Sequence, residues 1–255
     1  MNTRKLLLKL SKRFPKKYAK DNHDFVGLMV GKLPLEVNKI VVCLDLDEEI
    51  IDEVIRIKPD LIITHHPFIY GSKSKVLKYD LAKAELVKKL EENNLCVYSM
   101  HTNFDTGKGG MNDALSAKLL LNDVYAPISN IMMRIGYLQE GMEVNEFAKY
   151  AKEKLGVDYG LLIANGNQII KKVAIIGGGG SRYWTIAKDE GADIYISGDA
   201  SHYVRRAIVT SKYNYLDLPH EIEKIFMETL SEIIHEYDQT VEVIKINHEQ
   251  LPKVI

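Results

Sequence analysis

KIVVCLDLDEEIIDEVIRIKPDLIITHHPF, residues 39–68, decides the fold. Its opening KIVVCLDLD is a continuous apolar run finishing in Asp45 and Asp47, the pattern of a strand buried on both faces. EEIIDEVIRIK then spaces its apolar side chains as a helix does, and Pro59 stops it. DLIITHHPF reads as a second buried strand. His65 and His66 fall where that strand gives way to a loop marked by Pro67 and Gly71. Downstream, LAKAELVKKLEENN (81–94) is an amphipathic helix and LCVYSMHTNFD (95–105) a third strand with a polar end. Strand, helix, strand, helix, strand implies a parallel sheet with right-handed crossovers.

Upstream, VGLMVG (26–31) reads as a short strand. The opening MNTRKLLLKLSKRF has only Leu6 to Leu8 as an apolar stretch before Lys9 interrupts it, so an amphipathic first helix is expected rather than a targeting peptide. The second half repeats the theme. GMEVNEFAKYAKEKLG (141–156) reads as a helix, LLIAN (161–165) as a strand, Asn165–Asn167 as a turn, and KKVAIIGG (171–178) as a strand. A helix from Tyr183 to Gly191 leads into ADIYISGDASH (192–202). Lys39 to His65 spans 26 positions, and so does Lys172 to Gly198. That match points to a distant internal duplication, with the general likeness of any two βαβ units as the competing reading. The expected fold is α/β, two similar lobes with mainly parallel sheets. One lobe takes 1–124 with 215–255, the other 125–214. NYLDLPHEIEKIF (214–226) starts a helix running to about Tyr237, and VEVIKIN (241–247) closes as a strand.

Composition bounds the function. A hydrophobic share of 46% with 27% charged residues is ordinary for a folded chain and excludes disorder. Lys and Arg number 34 against 35 Asp and Glu, a net charge of -1, which lacks the basic excess of a dedicated nucleic-acid binder. A local basic patch keeps nucleic acid open as a partner. Cys43 and Cys96 sit in apolar runs without a CxxC pair and read as small core residues. Two lone thiols and no secretory signal point to a reducing cytoplasm. No apolar run approaches the roughly 20 residues of a membrane span.

Parallel α/β sheets place ligands at the carboxyl ends of their strands. Those ends carry His65 and His66, then His101 and Asp105, then Asp199 and His202. His220 and Glu223, three apart, share a helical face. Imidazole with carboxylate is a donor mix for zinc, iron, nickel or manganese. Each piece has a plainer reading: a packed histidine beside a solvated one, a capping HxxE, a turn at Asp105. Their coincidence at strand ends and a helix start favours ligation. Gly177–Gly180 with Ser181 and Arg182 follows a strand and opens a helix. It matches neither common nucleotide-binding glycine motif, so close packing is its favoured reading over a phosphate cradle.

ITHHPF (63–68), HTNFDTGKGGMNDALSAKL (101–119), KVAIIGGGGSRYWTIAKDEGADIYISGD (172–199) and DLPHEIEK (217–224) resemble, in order, the motif string of the NGG1-interacting-factor-three-like family. Its bacterial, YbgI-like members are known as GTP cyclohydrolase 1 type 2 homologues. The resemblance implies two divalent metal ions held by His65, His66, Asp105, His220 and Glu223, in a ring-shaped homohexamer. Five ligands over two ions leave room for water, as in catalytic rather than structural sites. Pro219 stands where the family usually has glycine, and Glu223 is taken over position 224 because that is Lys. His101 matches the HTN histidine and is expected beside the ions or in proton transfer, with a buried structural histidine as the alternative. Asp199 and His202 are expected to line the cavity or to hydrogen-bond structurally. The implied function is metal-dependent hydrolysis of a nucleotide or related heterocycle, a small-molecule substrate. A non-enzymatic regulatory or scaffold ring, binding a protein or single-stranded nucleic acid, is the alternative.

Overall fold

The computed structural model describes residues 1–253. Its strands are β1 (Gly27–Val30), β2 (Lys39–Cys43), β3 (Leu61–Thr64), β4 (Val97–Ser99), β5 (Asn122–Tyr125), β6 (Arg134–Glu143), β7 (Leu161–Ala164), β8 (Ile169–Ile175), β9 (Ile194–Ser197), β10 (Asn214–Asp217) and β11 (Glu242–Lys245). Two sheets result, β1-β4-β3-β2-β11 and β5-β6-β8-β9-β10-β7. The first is parallel except at its edge, where β1 runs antiparallel to β4. The second is mixed: β8, β9 and β10 are parallel, while β5, β6 and β7 join antiparallel. The expected α/β class with two similar halves stands, and the expected parallelism holds more fully for the first half than for the second.

The two βαβ units share a device the 26-residue spacing only hinted at. Asp60 Oδ2 accepts the N–H groups of Asn38 and Lys39 at 2.8 and 2.9 Å, fixing the start of β2 against the start of β3. Asp193 Oδ2 accepts those of Lys171 and Lys172 at 2.9 and 2.8 Å, doing the same for β8 and β9. Two residues before each aspartate the chain turns left-handed, at Lys58 (φ 52°) and Gly191 (φ 74°). A left-handed residue just past a helix lets the last carbonyls find partners before the next strand begins. The preceding helices are Ile51–Ile57 and Trp184–Asp189.

Elsewhere local chemistry moves boundaries. Glu143, read as helical, is the last residue of β6, and its carboxylate caps the helix Val144–Leu155 by accepting from the N–H of Asn145 and Glu146. The strands flanking the Asn165–Asn167 turn do not pair with each other: β7 joins β10, and β8 lies between β6 and β9. The first helix, Thr3–Arg13, is capped by Asn2 and buries Leu6 and Leu10.

Two compact units emerge, Met1–Gly110 with Phe226–Glu249, and Met111–Ile225 with the residues from Gln250. These bounds differ from 1–124 with 215–255 and from 125–214. Strand pairing is the reason: β5 hydrogen-bonds to β6, and β10 to β9 and β7, so both strands join the second sheet. His220 and Glu223 therefore belong to the second unit. No helix among the described residues is long and apolar enough to cross a membrane.

Candidate metal centre

In the first unit the carboxyl ends of β3 and β4 present three imidazoles. His65, fully buried, and His66 follow β3, and their N–H groups both donate to Leu44 O at 3.1 Å. Thr64 Oγ1 donates to His66 O at 2.8 Å and also contacts Ser99 Oγ at 2.8 Å, which pins the loop across the sheet. His101 follows β4; its N–H donates to Asn103 Oδ1 at 3.0 Å, while Asn103 Nδ2 reaches back to Phe14 O at 3.1 Å. The first helix thus anchors this loop.

Each ring is held at Nδ1. His65 Nδ1 lies 3.0 Å from Met100 O. A carbonyl oxygen can only accept, so His65 Nδ1 is the donor of this pair, which makes Nε2 the nitrogen a cation would take. His66 Nδ1 lies 2.7 Å from Asp45 Oδ2, and His101 Nδ1 lies 2.7 Å from Asp24 Oδ2. Burial is the largest single influence and works to raise both carboxyl groups, but the hydrogen bonds and charge of the neighbouring histidines, joined at Asp24 by the Thr102 and Phe25 bonds, together hold Asp45 and Asp24 below the ordinary carboxylate value. The His65 ring centroid is 5.0 Å from that of His66 and 5.1 Å from that of His101, and one nitrogen from each of the three lies within 4.8 Å of the others. Asp105 Oδ1 is 3.6 Å from His65 Nε2. Phe226 packs on the His65 ring at 4.9 Å, and Phe104 packs on Phe226. These aromatics keep the buried imidazole in one orientation.

In the second unit, Pro219 precedes a short 3-10 turn, His220–Lys224, that runs into the helix Ile225–Tyr237. The turn sets His220 Nε2 3.1 Å from Glu223 Oε2, and His220 Nδ1 2.5 Å from Asp199 Oδ2. Glu223 is buried. Its hydrogen bond raises the His220 imidazole to about 9; burial opposes this, and Asp199 adds to it. The glycine run explains itself here. Gly178 turns left-handed (φ 61°), and a side chain on it would collide with Glu223 Oε1 and crowd His220 Nε2. Its carbonyl accepts from Gly180 and Gly198 N–H at 2.8 and 2.7 Å. The close approach at Gly178 is thus to the Glu223 carboxylate rather than the helix-on-sheet packing expected from the sequence. His202 opens the helix His202–Thr210 and is exposed.

The donor chemistry fits borderline divalent cations: imidazoles with oriented lone pairs beside buried carboxylates. Sequence reasoning brought His65, His66 and His101 to one end of the first sheet, as found; Asp105, expected at the end of the third strand, lies instead in a short helix, Thr102–Thr106, that follows β4. It passed over Asp24 and Asp45. Asp45 was within reach as the polar end of β2, whereas Asp24 lies in an irregular turn with no pattern to mark it.

A model of the family Duf34/NIF3 (NGG1p interacting factor 3) matches residues 1–252. Among curated relatives, a "GTP cyclohydrolase 1 type 2 homolog" of Clostridium perfringens is 34% identical over 207 residues, 79% of each chain. One of the same name from Lactococcus lactis is 30% identical over 250 residues, 96% of each. A solved Bacillus cereus protein related to NIF3 superposes with TM-score 0.86 at 22% identity, covering 100% of this chain and 99% of its own. The solved protein YbgI, of unknown function, gives 0.85 at 23% identity over 98% and 99%. At these identities the structures speak for the fold.

Proposed function

The chain belongs to the Duf34/NIF3 family, and from that premise we propose that it is a metal-dependent hydrolase of a nucleotide or related heterocycle. Two divalent ions would be held by His65, His66, Asp105, His220 and Glu223. The observation that carries the reading is the set of three imidazoles with converging ring nitrogens and Nδ1 atoms held from behind. A divalent cation supplies Lewis-acid activation of water. The chain's own residues do the rest. Asp24 and Asp45 fix ring orientation, Met100 O sets the His65 tautomer, and the Phe104–Phe226 pair keeps water from the back of that ring. The name carried by the curated relatives points to a guanine nucleotide as the first substrate to try.

His101 stands with His65 and His66 at ligand spacing, which favours a ligand role over proton transfer alone. His101→Ala separates the two: a ligand loss lowers the metal content, a proton-transfer loss lowers turnover at full metal content. The reading as a whole is tested on purified protein by metal analysis alongside a screen of nucleotides and phosphoesters. Metal-dependent turnover that Asp105→Ala abolishes is expected. Turnover that survives chelation would overturn it, and retained metal without turnover would move the protein to a regulatory or scaffold role. A homohexamer, as the resemblance implies, predicts a solution mass six times the 29.0 kDa protomer.

A further inference from the structure

Beside the imidazole cluster the first unit holds a cavity of about 320 Å³ whose walls mix lysines with apolar groups. Lys16, Lys20 and Lys73 line it together with Phe25, Ile69 and a single carboxylate, Asp24. That carboxylate is already engaged. Its Oδ1 accepts the Phe25 N–H at 2.7 Å, and its Oδ2 accepts from Thr102 N at 3.2 Å, from Thr102 Oγ1 at 2.7 Å and from His101 Nδ1 at 2.7 Å. Lys16 and Lys20 bring positive charge to the lining, and Lys73, whose Nζ lies 3.5 Å from Glu91 Oε1, adds a partly neutralised third, against one lining carboxylate whose lone pairs are spoken for, so the lining favours an anion. Phe25 is the aromatic residue of the lining. Phe25 is 38% exposed, and its ring meets Tyr70, 65% exposed, edge-on at 5.2 Å. Large aromatic rings left in solvent beside a cationic cavity suit a planar ligand. The volume falls in the range of small-ligand pockets.

We propose that this cavity binds a phosphate-bearing planar heteroaromatic molecule, with the phosphate on Lys16, Lys20 and Lys73 and the ring against Phe25. The proposal rests on the hydrolase reading for its use but not for its binding. Asp24 couples the two places, because one carboxylate holds both the Phe25 backbone and the His101 ring. A ligand seated on Phe25 would thus lie one residue from the imidazole cluster. Two contacts hold Lys16 in place at the cavity wall. Its Nζ lies 5.4 Å from the Tyr98 ring centroid, and it runs over Gly27, where any side chain would strike it.

The proposal is tested by fluorescence titration of full-length protein with methylanthraniloyl-GMP, in chelated and manganese-loaded forms, with GMP, guanosine and inorganic phosphate as competitors. The probe should bind both forms, and guanosine should compete roughly tenfold more weakly than GMP, since it lacks the charged group. Lys20→Glu and Lys73→Glu should each weaken the probe severalfold or more, while Lys118→Glu, an exposed lysine of the other unit, should not. Phe25→Ala should weaken GMP and leave phosphate competition unchanged. Equal binding by wild type, Lys20→Glu and Lys73→Glu, or equal competition by guanosine and GMP, would overturn the proposal. Turnover insensitive to Lys20→Glu sinks the pocket and spares the hydrolase. Lysine-dependent binding without turnover does the reverse.

Discussion

Asp24 and Asp45 each take the Nδ1 proton of an imidazole and so decide which nitrogen that ring presents. Carboxylate–imidazole pairs of this kind raise ligand basicity and fix ring angle. Asn in either place keeps the shape but removes the charge, so Asp24→Asn and Asp45→Asn should each lower divalent-cation affinity about 10- to 100-fold with the circular dichroism spectrum unchanged. Calorimetric titration reads this directly, and wild-type affinity in both variants would remove the orienting role. His220 offers a second residue-scale expectation. Glu223 chiefly, and Asp199 with it, raise its pKa from 6.5 to about 9. A raised native pKa means folding favours the protonated ring. The stabilisation is therefore complete below about 6.5 and is lost as pH rises through about 9. In metal-free protein the His220 ring proton should titrate near 9 by NMR, and Glu223→Gln should bring the midpoint down towards 6.5. A cation must displace that proton, so affinity should climb with pH up to the same midpoint. Asp105 and the histidines were legible because strand ends and loop punctuation mark them. Asp24 was not, because an aspartate in an irregular turn looks like any other turn residue until the fold brings His101 to it.

At the scale of elements, the aspartate clamps at β2/β3 and β8/β9 matter most. Each joins two strand starts that are 21 or 22 residues apart in sequence, and each does so from two positions past a left-handed residue. Equal spacing of two βαβ units is weak grounds for duplication, but a shared clamp with the same donors at the same offset is harder to arrive at by chance. Hydrogen bonds to a charged acceptor contribute about 1.5–3 kcal/mol net, less where solvent competes. Asp60→Ala and Asp193→Ala should each destabilise the protein by roughly 1–3 kcal/mol in urea unfolding. Asp193→Ala should cost more, because Asp193 Oδ1 also accepts from Asn167 Nδ2 at 2.7 Å. A loss at one position only would say that the clamps are not equivalent. Elements with uniform burial, such as β2 and β3, could be read from apolar runs alone. β5 and β7, both largely exposed, could not be assigned a partner, since neither side-chain pattern says which neighbour completes their hydrogen bonds.

Across the whole molecule, the chain leaves its first unit at Gly110 and re-enters it at Phe226, so the first unit is built from both ends of the sequence. Composition and periodicity show that two α/β halves exist, but a boundary in a chain that returns is set by strand pairing across distant segments, which no local window sees. The same architecture sets what metal removal should do. Any cation that binds the folded protein and not the unfolded chain stabilises by mass action, about 2.7 kcal/mol when its free concentration is 100 times Kd. For a chain of this size each kcal/mol moves Tm by about 2–4 °C. Chelation should therefore lower Tm by roughly 5–10 °C, and readdition of zinc or manganese should restore it in a concentration-dependent way. Asp105→Ala should lose most of that restoration, because it removes the buried carboxylate beside His65. Calorimetry across a series of free-metal concentrations reads both effects. A Tm that ignores chelation, or a variant that recovers as fully as the wild type, would mean these imidazoles and carboxylates are packed for structure and hold no cation.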